Sequence, residues 1–550
     1  MTTRRGVDAR RRRIVIGSAA TAAAASFGLP TLHAGVPVSA EVDVHVELHA
    51  EPGEVSIRPG APTRVWRFRG KLLRGAAGVL EEPAGSYVGP IIRVRRGQRI
   101  RIELVNALPE STIVHWHGLH VPDDMDGHPR FAIAPGARYV YEFSVANRAG
   151  TYWFHPHPHG RTGKQVYAGL AGLFLVSDDE EAGLGLPGAA QDLPLVIQDR
   201  NFNADNQFAY LGGEAGGDAR QGGGMMGGGM MRGRMGGGMM GGGMGSMMAG
   251  MMGVLGDQIL VNGGPQAGRE VERRAHRLRL LNGSNTRTLK LAWSDRTPLT
   301  VIGSDGGLLA TPLRRDYLML APAERVELWV DFGRWALGSE PTLRSLAFDG
   351  GVEMGGMMGG MMGGGGALRD GAAFDVHRFR VGGGAGRDEK LPTRLSAIAP
   401  PEPRQAVNFA RPKVFELSMG MMAWGINGAG FDMLGVSELE TVKLGTQEIW
   451  EFRNDGRGSM MGMVMPHSMH VHGLQFRVIG RSVARQFSRQ YDSVKAGRVD
   501  EGWKDSVLVM PGERVRVLLR FEDHPGLFLY HCHMLEHEDA GLMRNYRVEA

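Results

Sequence analysis

The sequence predicts an all-β protein built from sandwiches or barrels, and three observations support that prediction. Short runs rich in Val, Ile, Leu and aromatic residues alternate with polar residues between Gly, Pro and Asp turns. Long amphipathic helical patterns are scarce. A related stretch recurs three times along the chain. At roughly 100–200 residues per domain, the 550 residues suffice for about three domains.

The recurring stretch is a turn followed by a strand. The turn reads Pro-Gly-Ala-Arg at 135–138, Pro-Ala-Glu-Arg at 322–325 and Pro-Gly-Glu-Arg at 511–514. The first and third copies are accompanied by His-x-His pairs, whereas the middle copy has none. The clearest predicted strands are residues 91–105, 139–145, 326–332, 448–453 and 515–521.

Four His-x-His pairs indicate a metal site. Successive side chains of a strand point to opposite faces, so both histidines of a pair lie on one face. One pair could be incidental, but four pairs in two repeated units point to a shared role. Eight imidazoles facing one cavity suit a cluster of several copper ions, because imidazole is a good copper ligand. The pairs are His115/His117, His155/His157, His470/His472 and His531/His533.

The single cysteine, Cys532, indicates a second metal site. It lies between His531 and His533 and therefore faces away from them. His467 precedes the third pair by three residues and also faces the other way, and a turn after Cys532 could bring His537 back. One cysteine with two histidines is the ligand set of a blue-copper electron-transfer site. A small buried apolar cysteine is the alternative, which the flanking histidines disfavour.

The net positive charge of the chain arises from its first 40 residues. The net charge is +5, and residues 1–40 hold six arginines and one aspartate. The remainder is close to neutral, so no basic stripe for nucleic acid is expected. Arginines at 10–13 precede the soft apolar run 14–29 and resemble a twin-arginine export signal, with a disordered basic tail as the alternative. No later segment reaches the roughly 18 apolar residues of a membrane span.

Two tracts consist mainly of glycine and methionine. Residues 221–253 contain twelve methionines, and residues 354–362 contain five. So much glycine disfavours stable helix or strand, which predicts mobile loops. Thioether sulfur is a soft ligand that suits Cu(I). The tracts are therefore either Cu(I)-collecting segments or flexible filler.

The histidine motifs resemble the four copper motifs of the multicopper oxidases, over essentially all of residues 45–550. The chain looks most similar to bacterial periplasmic copper-efflux and copper-tolerance oxidases. The resemblance implies three cupredoxin-type Greek-key β-sandwich domains at residues 41–185, 186–390 and 400–550, after a twin-arginine signal peptide at 1–40. The matching motifs are His115-Trp116-His117-Gly118, Trp153-Phe154-His155-Pro156-His157, His467-x-x-His470-x-His472-Gly473 and His531-Cys532-His533-x-x-x-His537.

The same resemblance implies four copper ions: one type 1, one type 2 and a type 3 pair. The type 1 ion would be held by His467, Cys532 and His537. The type 2 ion would be held by His115 and His470. The type 3 pair would take His117, His155, His157, His472, His531 and His533. Three further histidines near the motifs, expected to be solvated or to support the ligands, are His120, His128 and His159.

The chain departs from the family at the axial position of the type 1 site. Relatives of this type commonly carry methionine ten residues after the cysteine, where this chain has Leu542. Either Leu542 leaves a three-coordinate copper, or a one-residue shift brings in Met543. Gly541 holds the usual register, which favours Leu542. The choice matters because the axial ligand tunes the redox potential.

Two acids match positions where the family places carboxylates near the trinuclear cluster. They are Asp126, in an acidic turn after the first histidine pair, and Glu538, next to His537. Reduction of dioxygen consumes protons, which a carboxylate can relay. The alternative for each is a solvated turn residue.

The resemblance predicts an exported, periplasmic enzyme that oxidises a substrate one electron at a time and reduces dioxygen to water. Methionines crowd near the type 1 motif, and Met463 and Met465 are the candidate Cu(I) ligands. Cu(I) oxidation in copper detoxification is therefore favoured. A laccase acting on phenols or other organic reductants is the main alternative, and a copper-storage protein without turnover is weaker. The predicted partners are dioxygen, the reductant and the twin-arginine translocation machinery.

Overall fold

The computed structural model describes residues 41–211, 213–215, 250–265, 268–350, 368–384, 389–420, 423–456 and 464–550. The predicted signal at 1–40, Met463 and most of the two Gly/Met tracts lie outside these ranges. Residues 42–550 form one compact unit. Strands dominate the described residues, and the all-β prediction is confirmed.

The first part of the chain forms two facing sheets with strand orders β2-β1-β5-β7 and β3-β4-β9-β8-β6. Alternation of buried and partly exposed residues along β1 and β5 shows one face on the core and one toward solvent. The strands are β1 Val44–Val55, β2 Thr63–Arg74, β3 Leu80–Glu81, β4 Ile91–Arg95, β5 Arg99–Asn106, β6 Val114–His117, β7 Arg138–Ser144, β8 Gly150–Pro156 and β9 Gly172–Ser177.

The middle part repeats this arrangement with a seven-stranded sheet, β14-β13-β10-β16-β21-β18-β19, and a five-stranded sheet, β15-β23-β22-β17-β20. A small hairpin joins β11 and β12. The strands are β10 Asp192–Arg200, β11 Ala209–Tyr210, β12 Gly213–Glu214, β13 Gln258–Val261, β14 Gly264–Pro265, β15 Arg269–Val271, β16 Ala275–Asn282, β17 Leu289–Trp293, β18 Leu299–Ser304, β19 Gly307–Arg315, β20 Leu318–Leu320, β21 Arg325–Asp331, β22 Thr342–Ser345 and β23 Phe374–Val381.

The last part has two five-stranded sheets, β25-β24-β27-β31-β29 and β26-β33-β32-β28-β30. Each of the three parts has its own main apolar core. The strands are β24 Lys413–Met419, β25 Trp424–Ile426, β26 Thr441–Lys443, β27 Thr446–Asn454, β28 His467–Val471, β29 Phe476–Val483, β30 Ser506–Val509, β31 Glu513–Phe521, β32 Gly526–Cys532 and β33 Met543–Glu549.

Helices in the described residues are short and lie between strands. They are α1 Thr162–Ala168, α2 Asp179–Ala182, α3 Ser488–Asp492 and α4 Leu535–Asp539. Helix α4 matters for function, because it turns the chain back after Cys532. Among the described helices none has the length and apolar character needed to cross a membrane.

The three parts share one topology, as the recurring turn and strand predicted. Strands β7, β21 and β31 follow the three turns and occupy equivalent positions next to β5, β16 and β27. The predicted strand at 91–105 was wrong in one respect. It is two strands, β4 and β5, in different sheets, because the chain turns at Gly97 with a φ of 89°. The three predicted domain boundaries stay predictions.

Candidate metal centre

The eight paired histidines converge from the first and last parts of the chain. His115 and His117 lie on β6, and the second pair lies at the end of β8. The third and fourth pairs lie at the ends of β28 and β32. Strand β6 pairs with β8, and β28 pairs with β32, so each part presents four imidazoles on one face. All eight are at most 1% exposed. We call them the eight-histidine site.

Ring nitrogens of these histidines face one another across the site. His115 Nε2 lies 3.3 Å from His470 Nε2, which joins the first and last parts of the chain. Two further groups of three form beside it. The ligand atoms of His157, His472 and His531 lie within 4.8 Å of one another, and so do those of His117, His155 and His533. The resemblance assigns the members of both groups to the type 3 pair, and this assignment stays a prediction.

The hydrogen bonds of the Nδ1 atoms show which ring nitrogens are free to bind a metal. Nδ1 of His115 and of His470 each lies 2.7 Å from a main-chain carbonyl, of Asp126 and of Asp505 respectively. A carbonyl only accepts, so Nδ1 carries the proton and Nε2 presents its lone pair. Two lone pairs 3.3 Å apart repel each other unless a cation lies between them. The donor set therefore fits a bound metal ion.

Burial favours the neutral form of His157, His470 and His472. Desolvation, together with the charges of neighbouring histidines, lowers the pKa of His470 and His472 well below 6.5. Desolvation also lowers the pKa of His157 to about 3. A neutral imidazole is the form that ligates metal. Imidazole groups of this kind suit copper.

Cys532 forms the second predicted site with His467 and His537. Its Sγ lies 3.5 Å from Nδ1 of His467 and 3.8 Å from Nδ1 of His537. Helix α4 brings His537 back, as the turn predicted. Burial raises the pKa of the Cys532 thiol to about 12. A bound cation reverses this by stabilising the thiolate. We call these three residues the Cys532 site.

The two axial candidates are both buried but lie in different surroundings. Leu542 belongs to the apolar cluster that contains Cys532 and Trp424. The Leu542 N–H donates to the carbonyl of His537, and the Leu542 carbonyl accepts from the Cys532 N–H. Met543 begins β33, opposite His531. The apolar residue beside the cysteine is thus Leu542.

The two predicted acids contact the eight-histidine site. Asp126 Oδ2 lies 2.7 Å from His472 Nδ1, and the side chain is fully buried. Glu538 lies 3.1 Å from His531 Nδ1 and 3.5 Å from His157 Nε2. Burial opposes ionisation of Glu538, but these histidines outweigh it and lower its pKa to about 2. Both carboxylates therefore lie where protons could be exchanged with the site.

Asp505 is a third acid at this site, which the sequence did not reveal. Its Oδ1 lies 3.0 Å from His117 Nε2, and its main-chain carbonyl holds His470. It precedes β30, next to β28, and has no His-x-His pair near it in the sequence. Only the pairing of β28 with β30 places Asp505 here, and a sequence pattern gives no signal for that pairing.

Two of the three further histidines near the motifs have contacts that explain them without a metal. His128 is buried, accepts from the Arg130 N–H and contacts the Asn545 side chain. His120 contacts the Asp523 carboxylate at 2.6 Å. His159 is exposed and lies against the ring of Phe431.

Methionines border the Cys532 site. Met465 is 5% exposed and belongs to the apolar cluster of Cys532 and Leu542. Met251 and Met252, the described end of the first Gly/Met tract, pack against that cluster. The Met251 carbonyl accepts a 3.0 Å hydrogen bond from the Trp424 indole. Trp424 in turn lies 4.5 Å from His537, ring to ring.

Known proteins resemble this chain over most of its length. Two family models, both described as multicopper oxidase, match residues 81–181 and 406–550 respectively. The crystal structure of the McoA multicopper oxidase from Aquifex aeolicus is 32% identical, with a TM-score of 0.72, and the match covers 93% of this chain and 97% of that one. A laccase of Bacillus subtilis is 28% identical over 88% of this chain and 90% of its own length. The cell division protein FtsP of Edwardsiella tarda is 30% identical over 94% and 95%.

The sequence motifs, the sandwich topology and these relatives agree. The histidines and the cysteine of the copper motifs form groups that could hold metal ions. Copper is accordingly the cofactor that the family implies, and dioxygen and a reductant are the substrates. The chain belongs to the multicopper oxidase family.

Proposed function

We propose that this chain oxidises Cu(I) to Cu(II) in copper detoxification and passes the electrons to dioxygen. The observation that supports this substrate is the position of Met251, Met252 and Met465 around the Cys532 site. Thioether sulfur binds Cu(I) in preference to harder ions. A Cu(I) ion collected by these side chains would lie close to His467 and His537.

Four resident copper ions are proposed, one at the Cys532 site and three at the eight-histidine site. Copper bound there supplies the one-electron redox chemistry and the site at which dioxygen is reduced. Ligands at the first site are His467, Cys532 and His537. His115 and His470 would hold the type 2 ion. The type 3 pair takes His117, His155, His157, His472, His531 and His533.

The chain's own residues connect the two sites. Cys532 is joined by one peptide bond each to His531 and His533, so the main chain provides a short path for electrons from the sulfur to the eight-histidine site. Reduction of one dioxygen to two waters consumes four electrons and four protons. Asp126 and Glu538, which contact His472, His531 and His157, are the proposed proton relays.

A laccase activity toward phenols is the second candidate. It is favoured by the relative from Bacillus subtilis, which is named a laccase. The two activities can coexist in one protein. A copper-storage role without turnover is the weaker alternative, because the proposed trinuclear ligand set would then have no purpose.

Steady-state oxygen consumption with Cu(I) and with a phenol, each with and without added Cu(II), tests the proposal. Replacing Met251, Met252 and Met465 together with leucine removes the sulfurs but keeps similar volume. We expect kcat/KM to fall for Cu(I) and to stay unchanged for the phenol. Met319→Leu is the matched control, because Met319 is buried in a separate cluster. Equal losses for both substrates would indicate damaged folding, and no loss for either would favour the laccase.

The Gly/Met tracts and Met463 extend the same proposal. Leucine or serine in place of all the methionines of residues 225–252 and 354–362 should lower the rate with Cu(I) only. Single substitutions should be nearly silent, because one thioether binds weakly, with Met463 and Met465 as exceptions near His467.

Export through the twin-arginine route is proposed as well. Lysine in place of the arginines at 10–13 should keep the protein out of the periplasmic fraction.

A further inference from the structure

Two aspartates hold the histidines of the eight-histidine site in the same manner. Asp126 accepts from His115 through its carbonyl and from His472 through its carboxylate, both at 2.7 Å. Asp505 accepts from His470 through its carbonyl at 2.7 Å and contacts His117 through its carboxylate at 3.0 Å. Each aspartate therefore orients one type 2 and one type 3 ligand of the proposed assignment.

The two carboxylates differ in the groups that contact them on the side away from the histidines. Asp126 Oδ1 has no hydrogen-bond partner within the described part of the chain. Both oxygens of Asp505 are held by the guanidinium of Arg325, Oδ1 by Nη1 and Oδ2 by Nη2, each at 2.6 Å. Such a bidentate pair fixes the plane of the carboxylate as well as its position.

The guanidinium itself is fully fixed. Its five N–H groups meet five acceptors: the two Asp505 oxygens and the carbonyls of Thr151, Ala323 and Asp305. An arginine has five such donors, so none is left over. Arg325 and Asp505 are both 0% exposed. The arrangement leaves Asp505 one orientation, in which Oδ1 faces His117.

Arg325 comes from the middle part of the chain, whose described residues include no member of either metal site. It is the arginine of the recurring turn, and its counterparts are Arg138 and Arg514. Those two side chains are 52% and 39% exposed, whereas that of Arg325 is 0% exposed. Arg138 pairs with Glu47 and Glu103 near the surface. Only the middle copy of this arginine reaches the metal centre.

We propose that Arg325 is a positioning residue for the eight-histidine site. It holds Asp505 so that the carboxylate takes the Nε2–H of His117, which leaves Nδ1 of His117 as the metal-binding atom. That Nδ1 is buried and has no partner among the described residues. The middle part thus contributes to copper binding without providing a ligand. This inference rests on the copper assignment of the proposed function.

The test compares Arg325→Met with a matched control, Arg279→Met. Arg279 lies on β16, next to β21, is buried, and also bridges to Thr151 of the first part. It pairs with Asp192 and Glu327 and touches none of the eight histidines. Both variants break a buried ion pair, so both should lower the thermal midpoint. Only Arg325→Met should affect how the eight-histidine site holds copper.

The readouts are copper atoms per folded protein after dialysis against graded chelator, the blue absorption of the Cys532 site and the type 2 copper EPR signal. Loss of a group that orients a metal ligand typically costs 10–100-fold in metal affinity. We therefore expect Arg325→Met to lose type 2 and type 3 copper at roughly 10–100-fold lower chelator concentration, with the blue band unchanged. Arg279→Met should behave like the parent.

Equal copper retention in Arg325→Met and the parent would overturn the inference, and so would equal losses in the two variants. If Arg325→Met does not fold, Arg325→Lys decides, because an ammonium keeps the charge but not the two-point contact. We expect it to lose copper to an intermediate degree. Failure of both variants to fold would make Arg325 a folding residue and contradict the inference. A parent protein without copper at the eight-histidine site would instead contradict the proposed function.

Discussion

Met543 lies directly opposite His531 in the antiparallel pair of β32 and β33. Residues opposite each other on neighbouring strands point to the same face of a sheet. The Met543 side chain therefore lies on the face of the eight-histidine site, and not on the face of Cys532. Leu542 lies on the cysteine side, in the cluster that contains Cys532.

This geometry predicts which residue controls the potential of the Cys532 site. Leu542→Met should lower the type 1 reduction potential, because a thioether adds electron density and stabilises Cu(II). Met543→Leu, which changes volume little, should leave the potential close to that of the parent. Spectroelectrochemical titration of the blue band measures both. A potential that follows Met543 and not Leu542 would show that the register is shifted by one.

Cys532→Ser should abolish the intense visible band and the oxidase activity while the fold survives. The serine oxygen is a poor copper ligand, and it provides no sulfur for charge transfer or electron flow. Absorption spectra, copper content and oxygen consumption on one preparation check this, with circular dichroism as the control for folding. A visible band of parental intensity would contradict the type 1 assignment.

His117→Ala should collapse dioxygen turnover and leave the blue band largely intact. His117 belongs to the eight-histidine site, whereas Cys532 faces the opposite side of its strand. His531→Ala should do the same. The matched control is His276→Ala. His276 is buried in the middle part and contacts the Arg274 carbonyl, and it belongs to neither proposed metal site. Oxygen reduction at the parental rate in His117→Ala would defeat the proposed ligand set.

Asp126→Asn should slow oxygen reduction by roughly 10–100-fold, the usual effect of losing a group that supports a metal ligand. Asparagine keeps the size and one acceptor oxygen for His472, but it cannot relay a proton. The measurement is the single-turnover rate of reoxidation by dioxygen, with copper content checked. Asp124→Asn, an exposed acid of the same turn, is the control. Parental reoxidation rates would make Asp126 a purely structural residue.

The metal-free protein should lose stability as the pH falls below about 6.5. Burial lowers the pKa of His157 and of His537 to about 3 in the folded state, against an ordinary value of 6.5. The unfolded chain therefore binds protons that the folded chain does not. Stability is fully present above the ordinary value and declines from there toward about pH 3. Thermal midpoints of apo and copper-loaded protein across this range test it. An apo midpoint that stays constant from neutral to mildly acidic pH would contradict it.

The alternation of apolar residues identified the strand-rich fold, and the recurring turn marked three equivalent parts. The alternation of successive side chains along a strand also placed Cys532 on the opposite face from its neighbours His531 and His533. Residues 91–105 show where the pattern fails: both β4 and β5 are apolar, and only the glycine between them indicates that they belong to different sheets.

Asp505 and Arg325 show a second limit. Their pairing depends on two sites 180 residues apart in the chain. Asp505 precedes β30 and Arg325 begins β21, and neither has a histidine pair beside it in the sequence. A buried salt bridge between separate parts of a fold leaves no periodic signal in a single sequence, whereas the histidine pairs do.

The contact between His115 and His470 has a mechanical consequence, because it joins residues 355 positions apart. The chain has one cysteine and cannot form an internal disulfide. A metal ion bound by both imidazoles would close that loop as a covalent cross-link does. The chain-entropy relation for cross-links gives a stabilisation of about 6 kcal/mol for a loop of this length. In this protein the cofactor would also act as a cross-link between the first and last parts of the chain.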